Sequence, residues 1–151
     1  MFSFWDKFST ICNLIYKWSP KKRYRSEKGY RKDLKEYLSK VRLGNILTGY
    51  SSLNITCEQG RTRPDLLIDD KIAVELKMNL RSKTQVDRLI GQISHYVYKG
   101  YDVIVVLVGK TKEDKKRDII RAINSFIRYN GFGTPINRIK VITPPKACSL
   151  M

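Results

Sequence analysis

At 151 residues the chain is one domain in size and long enough to bury a hydrophobic core without a disulfide or metal staple. With 42% hydrophobic and 29% charged residues it is globular rather than disordered, and no run approaches the ~18 uninterrupted apolar residues of a membrane span. Its 30 Lys and Arg against 14 Asp and Glu leave a formal charge of +16, an excess that implies a polyanionic partner, nucleic acid first and an anionic membrane surface second.

Cys12, Cys57 and Cys148 are odd in number and far apart, and with a single His they cannot assemble a zinc cluster of the usual spacing. A reducing, intracellular setting is the expectation. The N-terminus carries Asp6, Lys7 and Lys17 and lacks a basic n-region and a small-residue cleavage site, so no signal peptide is expected.

In residues 2–18, Phe4, Phe8, Ile11, Ile15 and Trp18, with Leu14 beside them, fit one face of an amphipathic helix. Such a helix either packs on its own domain, covers a second copy, or lies on a membrane surface. Residues 1–20 are read as this N-terminal helix, 21–25 (Lys21-Lys22-Arg23-Tyr24-Arg25) as a basic linker, 26–143 as the main domain and 144–151 as a tail. A second helix starts near Ser26 with Tyr30, Leu34, Tyr37, Leu38 and Val41 inward and Gly44 as its stop, and Glu27 shares the buried stripe. Leu53 to Cys57 reads as a short strand. Leu66 to Ile68 and Lys71 to Met78 read as a hairpin turning at Asp69-Asp70.

Ser82 or Thr84 caps the next helix, whose core stripe is Val86, Leu89, Ile90, Ile93 and Val97 and which Gly100 ends. Tyr101 to Val108 is apolar enough for a strand buried on both faces. A helix over roughly Glu113 to Tyr129 and a short strand at Arg138 to Ile142 complete the chain. The fold class is therefore α/β: a mixed central sheet flanked by helices, an αβββαβ core with an extra N-terminal helix and a C-terminal helix plus short strand.

Strand alternation brings Ala73, Glu75 and Lys77 to one face while Ile72, Val74, Leu76 and Met78 take the other. The Asp69-Asp70 turn folds the preceding strand back, so Asp65 comes beside Glu75. Two carboxylates and an ammonium at one edge suit divalent-metal hydrolysis of a phosphodiester, which needs acidic oxygens for the ion and a cation for the charge growing on phosphorus.

Pro64-Asp65, nine residues, then Glu75-Leu76-Lys77 resembles the PD-(D/E)XK pattern of restriction-endonuclease-like nucleases. Gln92-Ile93-Ser94-His95-Tyr96 is similar to the Q-x-x-x-Y motif of the RecB-type branch, with amide and phenol one helical turn apart. Glu27 stands where many members carry a first-helix glutamate. The resemblance spans roughly residues 26–110 and implies a Mg²⁺- or Mn²⁺-dependent deoxyribonuclease. It implies Asp65, Glu75, the Leu76 carbonyl and Glu27 as metal ligands, and Lys77 as the group that orients the attacking water. Gln92 and Tyr96 would position the site or touch the nucleic-acid backbone. Arg61, Arg63, Lys83 and Arg88 flank the acids as candidate phosphate contacts. DNA is the expected partner, recognised by backbone or structure rather than sequence, with a homodimer possible. His95 is expected on the surface. The alternatives are a non-catalytic nucleic-acid-binding protein on a nuclease fold and a peripheral membrane protein using the N-terminal helix. Cys148 to Met151 formally fits a prenylation box.

Overall fold

The computed structural model describes residues 6–47, 49–57, 60, 62–126 and 138–144. Five strands form the central sheet: β3 (Ile55–Thr56), β4 (Leu66–Ile68), β5 (Ile72–Met78), β6 (Asp102–Val108) and β7 (Ile139–Ile142), in that spatial order. β3, β4 and β5 are antiparallel neighbours, whereas β6 runs parallel to both β5 and β7. The molecule is thus α/β with a mixed sheet, flanked by α1 (Lys7–Lys17) and α2 (Glu27–Ser39) on one face and α3 (Lys83–Tyr98) and α4 (Glu113–Phe126) on the other.

Alternation along the strands creates the two layers. Ile72, Val74 and Leu76 of β5 and Ile104 and Val106 of β6 pack with α1 and α2. Ala73 of β5 and Val103, Val105 and Leu107 of β6 pack with α3 and α4. β6 is buried on both faces because parallel crossovers place helices on each side of it. Residues 69–71 separate the paired Ile68 and Ile72; Asp69 and Asp70 lie in the left-handed region at φ 51° and 56°, and the Lys71 N–H donates to the Ile68 carbonyl at 3.1 Å across the turn.

The apolar face of α1 lies inside this core: Phe8, Ile11 and Ile15 are buried with Leu34, Leu38 and Ile104. These side chains are used within the molecule. No helix among the described residues is long and apolar enough to cross a membrane. Trp18, expected within the helix, is instead its extended C-cap, and its indole donates to Asp33 Oδ1 at 3.0 Å. Phe4 and the Cys148–Met151 segment lie outside the described residues.

Two further expectations change. α2 stops at Ser39, not near Gly44, and Arg42–Asn45 (β1) pairs with Gly49–Ser52 (β2) in a separate antiparallel hairpin. Gly44 serves that hairpin: at φ 133°, a Cβ there would meet the Gly49 carbonyl oxygen at 1.9 Å. The strand expected over Leu53 to Cys57 shortens to Ile55–Thr56. α4 is described to Phe126, and the rest of its expected span lies outside the described residues.

Candidate active site

β5 is longer than its neighbour. The β4–β5 ladder ends at the Leu66↔Val74 pair, yet β5 continues to Met78. Beyond that point two amides on the β4 side have no strand to receive them, and carboxylates take its place. Asp65 Oδ2 accepts from the Leu76 N–H at 2.8 Å, and Glu27 Oε1 accepts from the Met78 N–H at 3.2 Å. The cause is local: Pro64 and Asp65 end the short strand, and α2 brings Glu27 from the adjoining layer across to β5.

Glu75 and Lys77 emerge on the α3 side of the same strand end. Glu75 is only 2% exposed, and the Lys77 side chain 17%. Lys77 Nζ lies 3.0 Å from Glu75 Oε1, while the Tyr96 hydroxyl donates to Glu75 Oε2 at 2.9 Å. Burial, followed by the nearby Asp65 charge, pushes the Glu75 carboxyl above its ordinary range; Lys77 and Tyr96 offset this only in part. For Lys77, burial opposes the charged form. The charges of Glu75, Glu27 and Asp65 outweigh it and hold the ammonium above its usual range.

Arg31 belongs to this cluster and was not singled out in the sequence. Its Nη1 lies 3.2 Å from Asp65 Oδ1, so both oxygens of Asp65 are engaged. The signal was present: Arg31 is four residues after Glu27, one turn along the same helix face. Gln92 sits one turn before Tyr96 on α3, and its Oε1 is buried without a protein partner. His95, expected on the surface, is half-buried; its Nε2 is buried without a partner and its ring meets Tyr96 edge-on, with centroids 6.3 Å apart.

The structure therefore brings together Glu27, Asp65, Glu75, Lys77 and Tyr96 around one strand end. Comparison with protein-family models, curated proteins and solved structures finds no match. The function of this strand end is therefore read from its geometry and chemistry.

The candidate phosphate contacts are more scattered. Arg63 and Arg88 are exposed, and Lys83 is an exposed α3 side chain paired with Asp87 at 2.9 Å. Arg61 lies outside the described residues. Gln85, on the same helix, closes a capping box with Ser82 and has a structural task.

Among the described residues no group of three or more His, Cys, Asp or Glu side chains is gathered closely enough to hold a metal. The oxygens on offer are nevertheless of one kind. They are the Asp65 and Glu75 carboxylates, the Leu76 carbonyl, which a β-strand places on the same edge as its N–H, and the unpartnered Gln92 Oε1. Such hard donors fit Mg²⁺ or Mn²⁺ and not a thiophilic ion.

Proposed function

We propose that the chain is a metal-dependent nuclease that hydrolyses phosphodiester bonds in DNA and reads backbone or structure rather than base sequence. The observation that supports this most strongly is Glu75: a carboxyl 2% exposed, pushed upward by burial and by Asp65, and gripped by Lys77 and Tyr96. An arrangement that burdens a buried acid in this way weakens a fold unless a cation is to be received there. Asp65 and Glu75, with the Leu76 carbonyl, would hold Mg²⁺ or Mn²⁺, which supplies Lewis-acid polarisation of the phosphate and of bound water. Glu27, turned to the Met78 N–H, would serve as an outer ligand.

The chain's own residues account for the rest. Lys77 uses one of its three N–H donors on Glu75, leaving two for the attacking water and a phosphate oxygen. Its charge opposes the negative charge that grows on phosphorus as the water oxygen bonds to it and the ester bond breaks. Tyr96 fixes the Glu75 side chain from the α3 side, and the Gln92 amide oxygen, one turn away on the same helix, is left unpartnered for an incoming group. The +16 net charge draws the polyanionic backbone to the protein without discriminating sequence.

Purified protein is incubated with linear, circular, single-stranded and branched DNA in Mg²⁺, Mn²⁺ or EDTA, beside Glu75→Ala and Lys77→Ala. Cleavage that needs metal and both side chains is the expected outcome. Binding without cleavage in any metal would instead make the chain a non-catalytic nucleic-acid-binding protein.

A further inference from the structure

The carboxyl ends of β5, β6 and β7 open into a cavity of about 360 Å³ that is separate from the acidic cluster. Ligands of open α/β sheets settle at this end, in the crevice outside the strand termini. The crevice here is built from four separate stretches of chain.

Its wall is aromatic and fixed in place. The Tyr24 hydroxyl donates to Asp33 Oδ2 at 2.6 Å, and Asp33 also accepts from the Lys21 N–H at 2.9 Å and from Trp18. One buried carboxylate thereby ties the basic segment 21–25 to the core. Gly29 makes room for the ring: a Cβ there would meet Tyr24 ring carbon Cδ1 at 2.5 Å. Tyr30 meets Tyr24 edge-on, with centroids 5.1 Å apart.

The opposite side is rigid too. Asn79, at φ 54°, accepts from the Lys110 N–H at 2.7 Å, and its own N–H donates to the Val108 carbonyl at 3.0 Å. Gly109 at φ 73° permits the contact, since a Cβ would fall 2.2 Å from Asn79 Oδ1.

The charge of the cavity has one sign. Arg23, Arg81 and Lys110 line it, and among the described residues no carboxylate does. None of these three cations is ion-paired with a carboxylate among the described residues. Lys22 adds a further ammonium 5.4 Å from the Tyr24 ring centroid.

We propose that this cavity binds a nucleotide with a terminal phosphate, its base against the tyrosines and its phosphate among Arg23, Arg81 and Lys110. Three cations without a matching acid favour a ligand of more than one negative charge. A terminal phosphate carries about −1.5 to −2 at neutral pH, against −1 for a diester. The half-buried Tyr24 ring suits a base, which can stack on an aromatic face whatever its identity. The cavity also adjoins the acidic strand end: Met78 lines it, and the Met78 N–H is the one held by Glu27. A DNA end seated here would lead its backbone toward Asp65 and Glu75. That strand-end source rests on the nuclease reading, whereas a free nucleoside monophosphate offers the same chemistry without it.

The test uses the full chain in EDTA, so that metal-dependent cleavage plays no part. Fluorescence anisotropy compares single-stranded oligonucleotides with 5′-phosphate, 3′-phosphate or only hydroxyl ends, with deoxyadenosine monophosphate and inorganic phosphate as competitors. One phosphorylated end is expected to bind about tenfold more tightly than the hydroxyl end, a gain typical of a charge-assisted phosphate contact. Arg81→Gln, and separately Arg23→Gln, are expected to erase most of that preference while leaving hydroxyl-ended binding nearly unchanged. The mononucleotide should compete better than inorganic phosphate.

Competition by the mononucleotide with no end preference would remove the strand-end source and keep a nucleotide site. Equal competition by inorganic phosphate would overturn the nucleotide assignment. Equal binding of all ends without mononucleotide competition, or a preference untouched in both Arg variants, would overturn the site altogether. End binding by a protein that cuts nothing would count against the nuclease reading alone.

Discussion

Acids and bases gather at both ends of β5, with opposite consequences. At its start, Asp69 pairs with Lys7, and Arg138 bridges Asp6 and Asp102. Burial works against the charges of Asp69 and Asp6. Lys7 and the Asn54 N–H, and Ser9 and Arg138, outweigh it and bring the two carboxyls below their ordinary range. At the far end Glu75 is pushed the other way. The residue types are alike; depth and pairing differ. Matched pairs at the water surface are weak clasps. A buried acid with a second acid beside it is left under-neutralised, and that end of the strand is the one suited to an incoming cation.

The largest effect that tests this contrast is on cleavage. Glu75→Ala and Lys77→Ala are each expected to lower the rate by at least about 10²–10³-fold, the scale for removing one group that stabilises charge in a transition state. Asp69→Asn, at the clasp end, should stay within about twofold. Initial rates on plasmid DNA with Mg²⁺ measure all three. A comparable loss in Asp69→Asn would erase the distinction between the ends.

Tyr96→Phe removes one hydroxyl from Glu75 and leaves the packing of the ring. About a tenfold fall in kcat with little change in KM is expected if, as proposed, the phenol acts through the Glu75 carboxyl that it bonds. The hydroxyl lowers the Glu75 pKa, so its loss should also move the acid limb of the pH–rate profile to higher pH. A lower rate with an unmoved profile would make Tyr96 a packing residue.

Stability should run against activity at Glu75. Its folded pKa lies above the unfolded value, so its ionised form weakens the fold once pH exceeds the unfolded pKa, near 4.5. That penalty grows as pH rises toward the folded pKa and then levels off. Glu75→Gln mimics the protonated form. It is expected to raise Tm by roughly 2–4 °C at neutral pH, equivalent to about 1 kcal/mol in a chain of this size, with the gain fading toward pH 4.5. Asp69→Asn carries the opposite sign: its lowered pKa contributes stability above the unfolded value that is lost as pH falls through the folded one. Melting curves of both variants across pH decide the matter, and a Gln variant that melts lower at neutral pH contradicts the account of Glu75.

The sites were unequally legible in the sequence for physical reasons. A strand has a period of two, so the shared face of Ala73, Glu75 and Lys77 followed from spacing, and the Asp69-Asp70 turn carried Asp65 to them. Tyr96 and Gln92 stood out by their resemblance to the Q-x-x-x-Y motif, and one helix turn puts them on a shared face. What spacing does not contain is where a ladder ends. The unpaired Leu76 and Met78 amides explain why Asp65 and Glu27 point where they do, and they arise from the shortness of β4. The β1–β2 hairpin was missed because Gly44 serves a helix stop and a close strand approach equally well. The cationic cavity joins residues 20–30, 78–81, 107–110 and 143–144, a juxtaposition only the fold creates.

The smallest effect concerns Arg31, which, like Lys7 at the clasp end, pairs with an acid that also accepts from a backbone N–H, but which does so beside Glu75 and Lys77. Its guanidinium occupies Asp65 Oδ1 and adds a positive charge beside the acids. Both features compete with a divalent ion. Arg31→Gln is therefore expected to bind Mn²⁺ about threefold more tightly by calorimetry without DNA, a change on the scale of a partly exposed ion pair. Lys7→Gln removes a similar charge from Asp69 and should leave Mn²⁺ affinity unchanged. Weaker Mn²⁺ binding in Arg31→Gln would mean that Arg31 holds Asp65 in its ligating position. The guanidinium would then be part of the site's scaffold, not a counter-ion that the metal replaces.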